Sequence, residues 1–95
     1  MHCLNVWLTV TNAADVPEVG RLLAEAARSS RSERGCLRFE VYHSQSDPQR
    51  FMLHEHWASK EAWEAHRSER AYTQIYQPQV LPKVTREGHP CTLLD

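Results

Sequence analysis

Three side chains in this sequence could meet to do proton and oxygen chemistry: Asn5, Trp57 and His66. Asparagine carries both a donor and an acceptor, so Asn5 could orient a substrate oxygen. Trp57 would form one aromatic wall. His66 follows it by nine residues and is of the type that accepts or returns a phenolic proton near neutral pH. Each also has a structural reading: a local hydrogen bond for Asn5, core filling for Trp57, helix packing for His66. Glu55 lies two residues before Trp57, on the same face of an alternating segment. A buried carboxylate needs a partner, so Glu55 is expected in a polar network at the pocket rather than on the substrate. Arg38 could steady a phenolate through a charge-assisted contact or simply pair with Glu40. Tyr72 is the best further pocket candidate, while Trp7, Phe51, Trp63 and Tyr76 could add walls or serve packing.

Other chemistry is poorly represented. His54 and His56 alternate with Glu55 and Trp57 and so point away from them, and no metal site is expected. Cys3, Cys36 and Cys91 form no close pair; beside strands they read as small core hydrophobes, which fits a reducing, cytoplasmic compartment. There is no phosphate-cradling glycine loop, dinucleotide fingerprint, zinc-ribbon spacing or serine-nucleophile elbow. The run from Ser29 to Arg34 mixes Arg31 and Arg34 with Glu33 and reads as a solvated helix end.

The elements that must position these residues follow from periodicity. Leu4, Val6, Leu8 and Val10 alternate with Asn5, Trp7 and Thr9, which predicts a strand over His2–Thr11. Asp15, with Pro17 and Glu18 after it, predicts a helix cap; Val16, Val19, Leu22, Leu23, Ala26 and Ala27 then keep helical spacing. Gly35 breaks that helix. A second strand is expected over Cys36–Tyr42, with Leu37, Phe39 and Val41 on one face and Cys36, Arg38, Glu40 and Tyr42 on the other. Ser46, Asp47 and Pro48 make a turn. A third strand spans Phe51–Trp57, and Ser59 caps a helix carrying Ala62, Trp63 and His66. A further helical piece over Arg70–Tyr76 should end before Pro78 and Pro82. A last strand, irregular or at an edge because of Gly88 and Pro90, falls within Thr85–Leu94.

The order strand, helix, strand, strand, helix, strand is that of an α+β, ferredoxin-like domain: one antiparallel sheet with helices on one face. At 95 residues, 41% hydrophobic and 24% charged, the chain is one domain over residues 1–95. Eleven Lys and Arg against twelve Asp and Glu give a net charge of −1, which argues against nucleic acid as a partner. No apolar run is long enough for a membrane span. So short a chain buries a modest core, and Leu4, Val6, Leu37, Phe39 and Val41 offer more apolar strand surface than one wet face should carry; a homodimer is expected.

Three stretches carry a family resemblance: GCLRFEVY over Gly35–Tyr42, SDPQRF over Ser46–Phe51, and EHWASKEAWEAH over Glu55–His66. With the glycine–strand–turn–strand–helix order, the chain resembles the antibiotic biosynthesis monooxygenase family over nearly its whole length. The resemblance implies a dimeric α+β barrel with a pocket between the sheet and its helices. It also implies oxidation of quinols or polycyclic phenols by molecular oxygen without a cofactor, because the reduced aromatic substrate supplies the electrons. The haem-degrading branch uses an asparagine, a tryptophan and a histidine, so haem binding or degradation is the alternative carried by Asn5, Trp57 and His66. An isomerase of a small hydroxylated or phosphorylated metabolite, and a non-enzymatic dimeric small-molecule binder, are the further alternatives.

Overall fold

In the computed structural model, which describes all 95 residues, the alternating segments form the expected strands. The order is β1 (His2–Val10), α1 (Val16–Arg31), β2 (Cys36–His43), β3 (Arg50–Trp57), α2 (Lys60–His66), a π-helix (Ala71–Val80) and β4 (Val84–Cys91). The strands pair antiparallel in the order β2-β3-β1-β4, an α+β ferredoxin-like sheet. Leu4, Val6, Leu8 and Val10 lie under the helices, packed against Val19, Leu22 and Leu23 of α1 and Ala71 and Ile75 of the π-helix. A smaller cluster of Ala27, Phe39 and Trp57 continues that core toward α2.

Local chemistry explains several boundaries. Ser59 caps α2, its hydroxyl accepting from the Ala62 amide at 3.1 Å. The β2–β3 turn is tied by two such bonds: the Ser44 hydroxyl accepts from the Asp47 amide, and the Asp47 carboxylate accepts from the Gln49 amide. The start of α1 differs from expectation. Asp15 makes no capping bond; Asn12 instead caps a short 3-10 turn over Ala13–Asp15, and Glu18 pairs with Arg21 at 2.7 Å. The 3-10 turn has already taken up the chain reversal that a cap at Asp15 would have made.

The first residues of β2 also depart from simple alternation. A register shift between Cys36 and Arg38 leaves Leu37 60% exposed and turns Cys36 inward against the Phe39–Trp57 cluster. Leu37 therefore does not share the face of Phe39, and Leu4, Val6 and Phe39 belong to the helix-covered side. The uncovered face is mixed: Trp7, Tyr42 and Met52 sit among Arg38, Glu40, His54 and His56.

The helical piece after α2 does not stop before Pro78 but runs through it to Val80. Its buried residues, Ala71, Ile75 and Val80, are four and five positions apart, a wider spacing than an α-helix gives. Hydrogen bonds reaching five residues back ease the clash that a proline ring makes with the carbonyl four residues earlier. β4 forms one edge of the sheet, where Gly88 and Pro90 are tolerated.

Gly35 links this frame to the site. Its φ of 85° is left-handed, and a Cβ there would stand 2.6 Å from the Ala62 Cβ of α2. Its carbonyl accepts from the Ala58 amide at 2.7 Å, which locks the end of the α1–β2 loop onto the start of the segment carrying α2. Gly35→Ala is expected to lower folding stability by about 1–3 kcal/mol, read as a lower urea midpoint at unchanged slope.

Candidate active site

Between the sheet and its helices lies a cavity of about 390 Å³, within the range of roughly 300–1,000 Å³ usual for small-molecule sites. Leu4, Leu53 and Phe39 form its floor from the strands; Leu23 and Ala26 of α1 close one side. Trp63, Tyr72 and Tyr76 supply aromatic walls, and Arg67 and Arg86 reach in from α2's end and β4. The rings of Tyr72 and Tyr76 are 5.6 Å apart, and the Arg67 guanidinium lies 5.7 Å over Tyr72. Two polar centres face this space.

The first is His66. Its Nδ1 is 2.7 Å from Oε1 of Glu33, with the two side chains only 8% and 10% exposed. Its ring stands 4.6 Å from that of Trp57 and 6.0 Å, edge-on, from that of Tyr72. Burial disfavours the charged form of each partner. The His66 imidazole is pushed down to about 4. The Glu33 carboxyl is pushed up to about 7, by burial first and then by the negative charges of Glu69 and Glu55. Nδ1 is occupied by Glu33, so Nε2 is the ring nitrogen that a ligand can use.

The second is Glu55, 4% exposed, whose Oε1 accepts the Trp57 indole N–H at 3.0 Å. Burial raises its carboxyl to about 7 against the lowering effects of the Trp57 bond and Arg86. Nearby, the Arg86 Nε donates to the Tyr76 hydroxyl at 3.2 Å.

These buried acids set a pH dependence with opposing signs. Glu33 and Glu55 bind protons more tightly folded than unfolded, so their contribution is present below pH 4.5 and lost as pH rises through about 7. His66 has the opposite sign: its contribution is present above 6.5 and lost as pH falls through about 4. Two carboxyls outweigh one imidazole, so stability is expected to decline from about pH 5 to about pH 8. Glu55→Gln, which keeps an acceptor for Trp57 but cannot ionise, should flatten that decline in urea titrations at the two pH values.

The structure brings together only part of the set expected from sequence. His66, Tyr72 and Glu55 line the cavity, as do Trp63 and Tyr76. Trp57 is fully enclosed and braces the cavity from behind, holding Glu55 and stacking near His66. Asn5 does not converge with them. It alternates with Leu4 and Val6, pairs across the sheet with His54 and His89, and donates to Cys91 Sγ at 3.4 Å on the uncovered face. Arg38 lies on that same face, tied to Glu40 at 2.7 Å. Trp7 and Phe51 are also outside the cavity lining. No group of three or more His, Cys, Asp or Glu side chains is arranged to hold a metal ion, and His54 and His56 sit 5.0 Å apart on the uncovered face.

Glu33, Arg67 and Arg86 are the site residues that sequence reasoning did not single out. Glu33 follows α1 in the polar run taken as solvated. The one sign of its role was the nearby Gly35, whose left-handed turn carries the loop back over α2.

The profile of the antibiotic biosynthesis monooxygenase family matches residues 1–77, which include Glu33, Glu55, His66, Tyr72 and Tyr76. The chain belongs to that family. Solved structures agree on the fold. A Nitrosomonas europaea protein named for the same family is 23% identical, with a TM-score of 0.91 and full coverage of both chains. One from Deinococcus radiodurans, also named for it, is 25% identical with a TM-score of 0.81, covering 98% of this chain and 94% of that one. A Bacteroides thetaiotaomicron protein described as a possible oxidoreductase is 22% identical with a TM-score of 0.87, covering 95% and 94%. No curated protein matches the chain. This family member has no helix long and apolar enough to cross a membrane.

Proposed function

We propose that this chain is a cofactor-independent monooxygenase that oxidises a quinol or polycyclic phenol with molecular oxygen. The observation that carries the reading is a buried histidine, backed by a carboxylate, facing an aromatic-walled cavity of about 390 Å³. A flat aromatic substrate would lie against Tyr72, Tyr76 and Trp63. His66 Nε2 would take a phenolic proton, leaving a phenolate that is a better electron donor to oxygen. Arg86, bonded to Tyr76, supplies fixed positive charge as the phenolate forms. The balance is one quinol plus O2 giving a hydroxylated quinone plus water, so the substrate provides the reducing electrons. We further propose that the protein works as a homodimer through the uncovered sheet face, in the cytoplasm; its three unpaired cysteines accord with a reducing compartment.

The test is oxygen uptake by purified, metal-free protein with chemically reduced quinols and polycyclic phenols, read with product mass. Enzyme-dependent uptake with a product one oxygen richer and two hydrogens poorer supports the proposal. No uptake across the panel by a folded protein overturns it.

A second reading has its own observation. Glu55 and His66 are two proton-exchanging groups in one cavity, which suits an isomerase that lifts a proton at one carbon and returns it at another. Substrate conversion at unchanged product mass and without oxygen consumption would favour it. The haem reading has no comparable support, since Asn5 stands across the sheet from His66 and Trp57 is enclosed.

A further inference from the structure

A histidine whose imidazolium is strongly disfavoured by burial is a weak base if it acts alone. Its partner changes that. Glu33 Oε1 and His66 Nδ1 are 2.7 Å apart, and the second carboxyl oxygen, Oε2, is buried with no hydrogen-bond partner. A short bond between two nearly enclosed groups allows one proton to sit on either atom. We propose that Glu33 and His66 form a proton relay in which Glu33 is the group finally protonated, and the charge state of Glu33 sets the His66 tautomer.

Two states follow. With Glu33 ionised, His66 Nδ1–H donates to the carboxylate and Nε2 is an open acceptor. With Glu33 neutral, its O–H donates to Nδ1 and Nε2 carries the hydrogen. Passing from the first state to the second adds one proton at Nε2 and moves one from Nδ1 to Glu33. The imidazole stays neutral throughout. The base strength offered at Nε2 is then that of the pair, and Glu33 at about 7 is far closer to neutrality than His66 at about 4. That Nε2 receives a phenolic proton rests on the proposed function; the tautomer coupling does not.

The charged and titratable groups around the pair come from every neighbouring element. Glu55 faces it from β3, and Glu69 from the segment after α2; both raise Glu33. Cys36 of β2 lies within the field of Glu33 and of Arg31 from the end of α1. Tyr72 meets His66 from the π-helix, with Arg67 over its ring. Glu55 shares the pH range of Glu33, so it is the necessary control.

The experiment is nitrogen NMR of the full chain with 15N-labelled histidine between about pH 5.5 and 8.5, a window centred on the raised Glu33 value, with the His66 signals assigned by their loss in His66→Gln. The expected result is a change of His66 from the Nε2–H to the Nδ1–H tautomer as pH rises, without an imidazolium signal. Glu33→Gln should abolish the transition while the other histidine signals and the circular dichroism hold. Glu55→Gln should keep the transition but move its midpoint to lower pH, because a neighbouring negative charge is gone. One tautomer throughout the range in the native protein, or a transition that survives Glu33→Gln, overturns the proposal. A tautomer transition in a protein that consumes no oxygen would instead leave the relay standing and remove the oxygenase reading. Oxygen consumption with a pH-independent tautomer would do the reverse.

Discussion

Trp57→Ala is expected to cost about 3–5 kcal/mol of folding stability, the range for emptying a buried tryptophan site, and no other single change described for this chain should cost as much. The side chain has 0% exposure and packs against Phe39 and Ala27. Its indole N–H is also the donor that meets the buried Glu55 carboxylate. Removing it opens a cavity and orphans an acidic group at once, two costs that act in the same direction. Trp57→Phe separates them, since it retains much of the volume and deletes only the donor. Without that bond the Glu55 carboxyl should rise further, as the bond now opposes the effect of burial. Urea denaturation of both variants at two pH values checks this. The phenylalanine variant should fall between native and alanine, and its deficit should grow as pH rises. A deficit that stays the same at both pH values would mean that Trp57 serves only as packing.

His66→Gln is expected to lower turnover by about 10²–10⁴-fold, the usual worth of a positioned general base, with a much smaller change in substrate affinity. Glutamine keeps a hydrogen-bonding group near Glu33 but cannot accept a proton at neutral pH. His66 is mostly enclosed and stands beside the Trp57 ring, so folding must be verified by urea titration before kinetics are read. The discriminating quantity is kcat against KM for oxygen uptake. Loss confined to KM would make His66 a binding residue and move the proton-accepting role to Glu55.

The contrast between Asn5 and Glu33 shows which kind of information one sequence holds. Strand parity was already decisive for Asn5. Leu4, Val6 and Leu8 define the covered side of β1, as Leu53, Glu55 and Trp57 do for β3, and Asn5 falls between them with His54. The residue type suggested chemistry, but alternation had placed it on the other face. Arg38 is similar, although the bulge beside it disguises the parity of β2. Glu33 has no such signature, because a loop side chain has no period. Its position comes from one left-handed glycine and the tertiary fit of Gly35 against Ala62. Tyr72 and Tyr76, four apart, were legible as neighbours on a helix. The continuation through Pro78 was not, since proline ordinarily ends a helix and the wider π-helical spacing emerges only on packing.

That π-helix ties the shape of the cavity to the length of the chain that walls it. Its wider turns space Ala71, Ile75 and Val80 so that all three anchor to the core, while Tyr72 and Tyr76 stay on the cavity wall. Deleting one residue between the anchors would tighten the turns toward α-helical geometry and swing the later side chains of that helix about its axis by roughly 100°. Tyr76 and its link to Arg86 would be re-aimed, with the sheet, Glu33 and His66 untouched. Chain length in this segment thus shapes the cavity wall separately from residue identity.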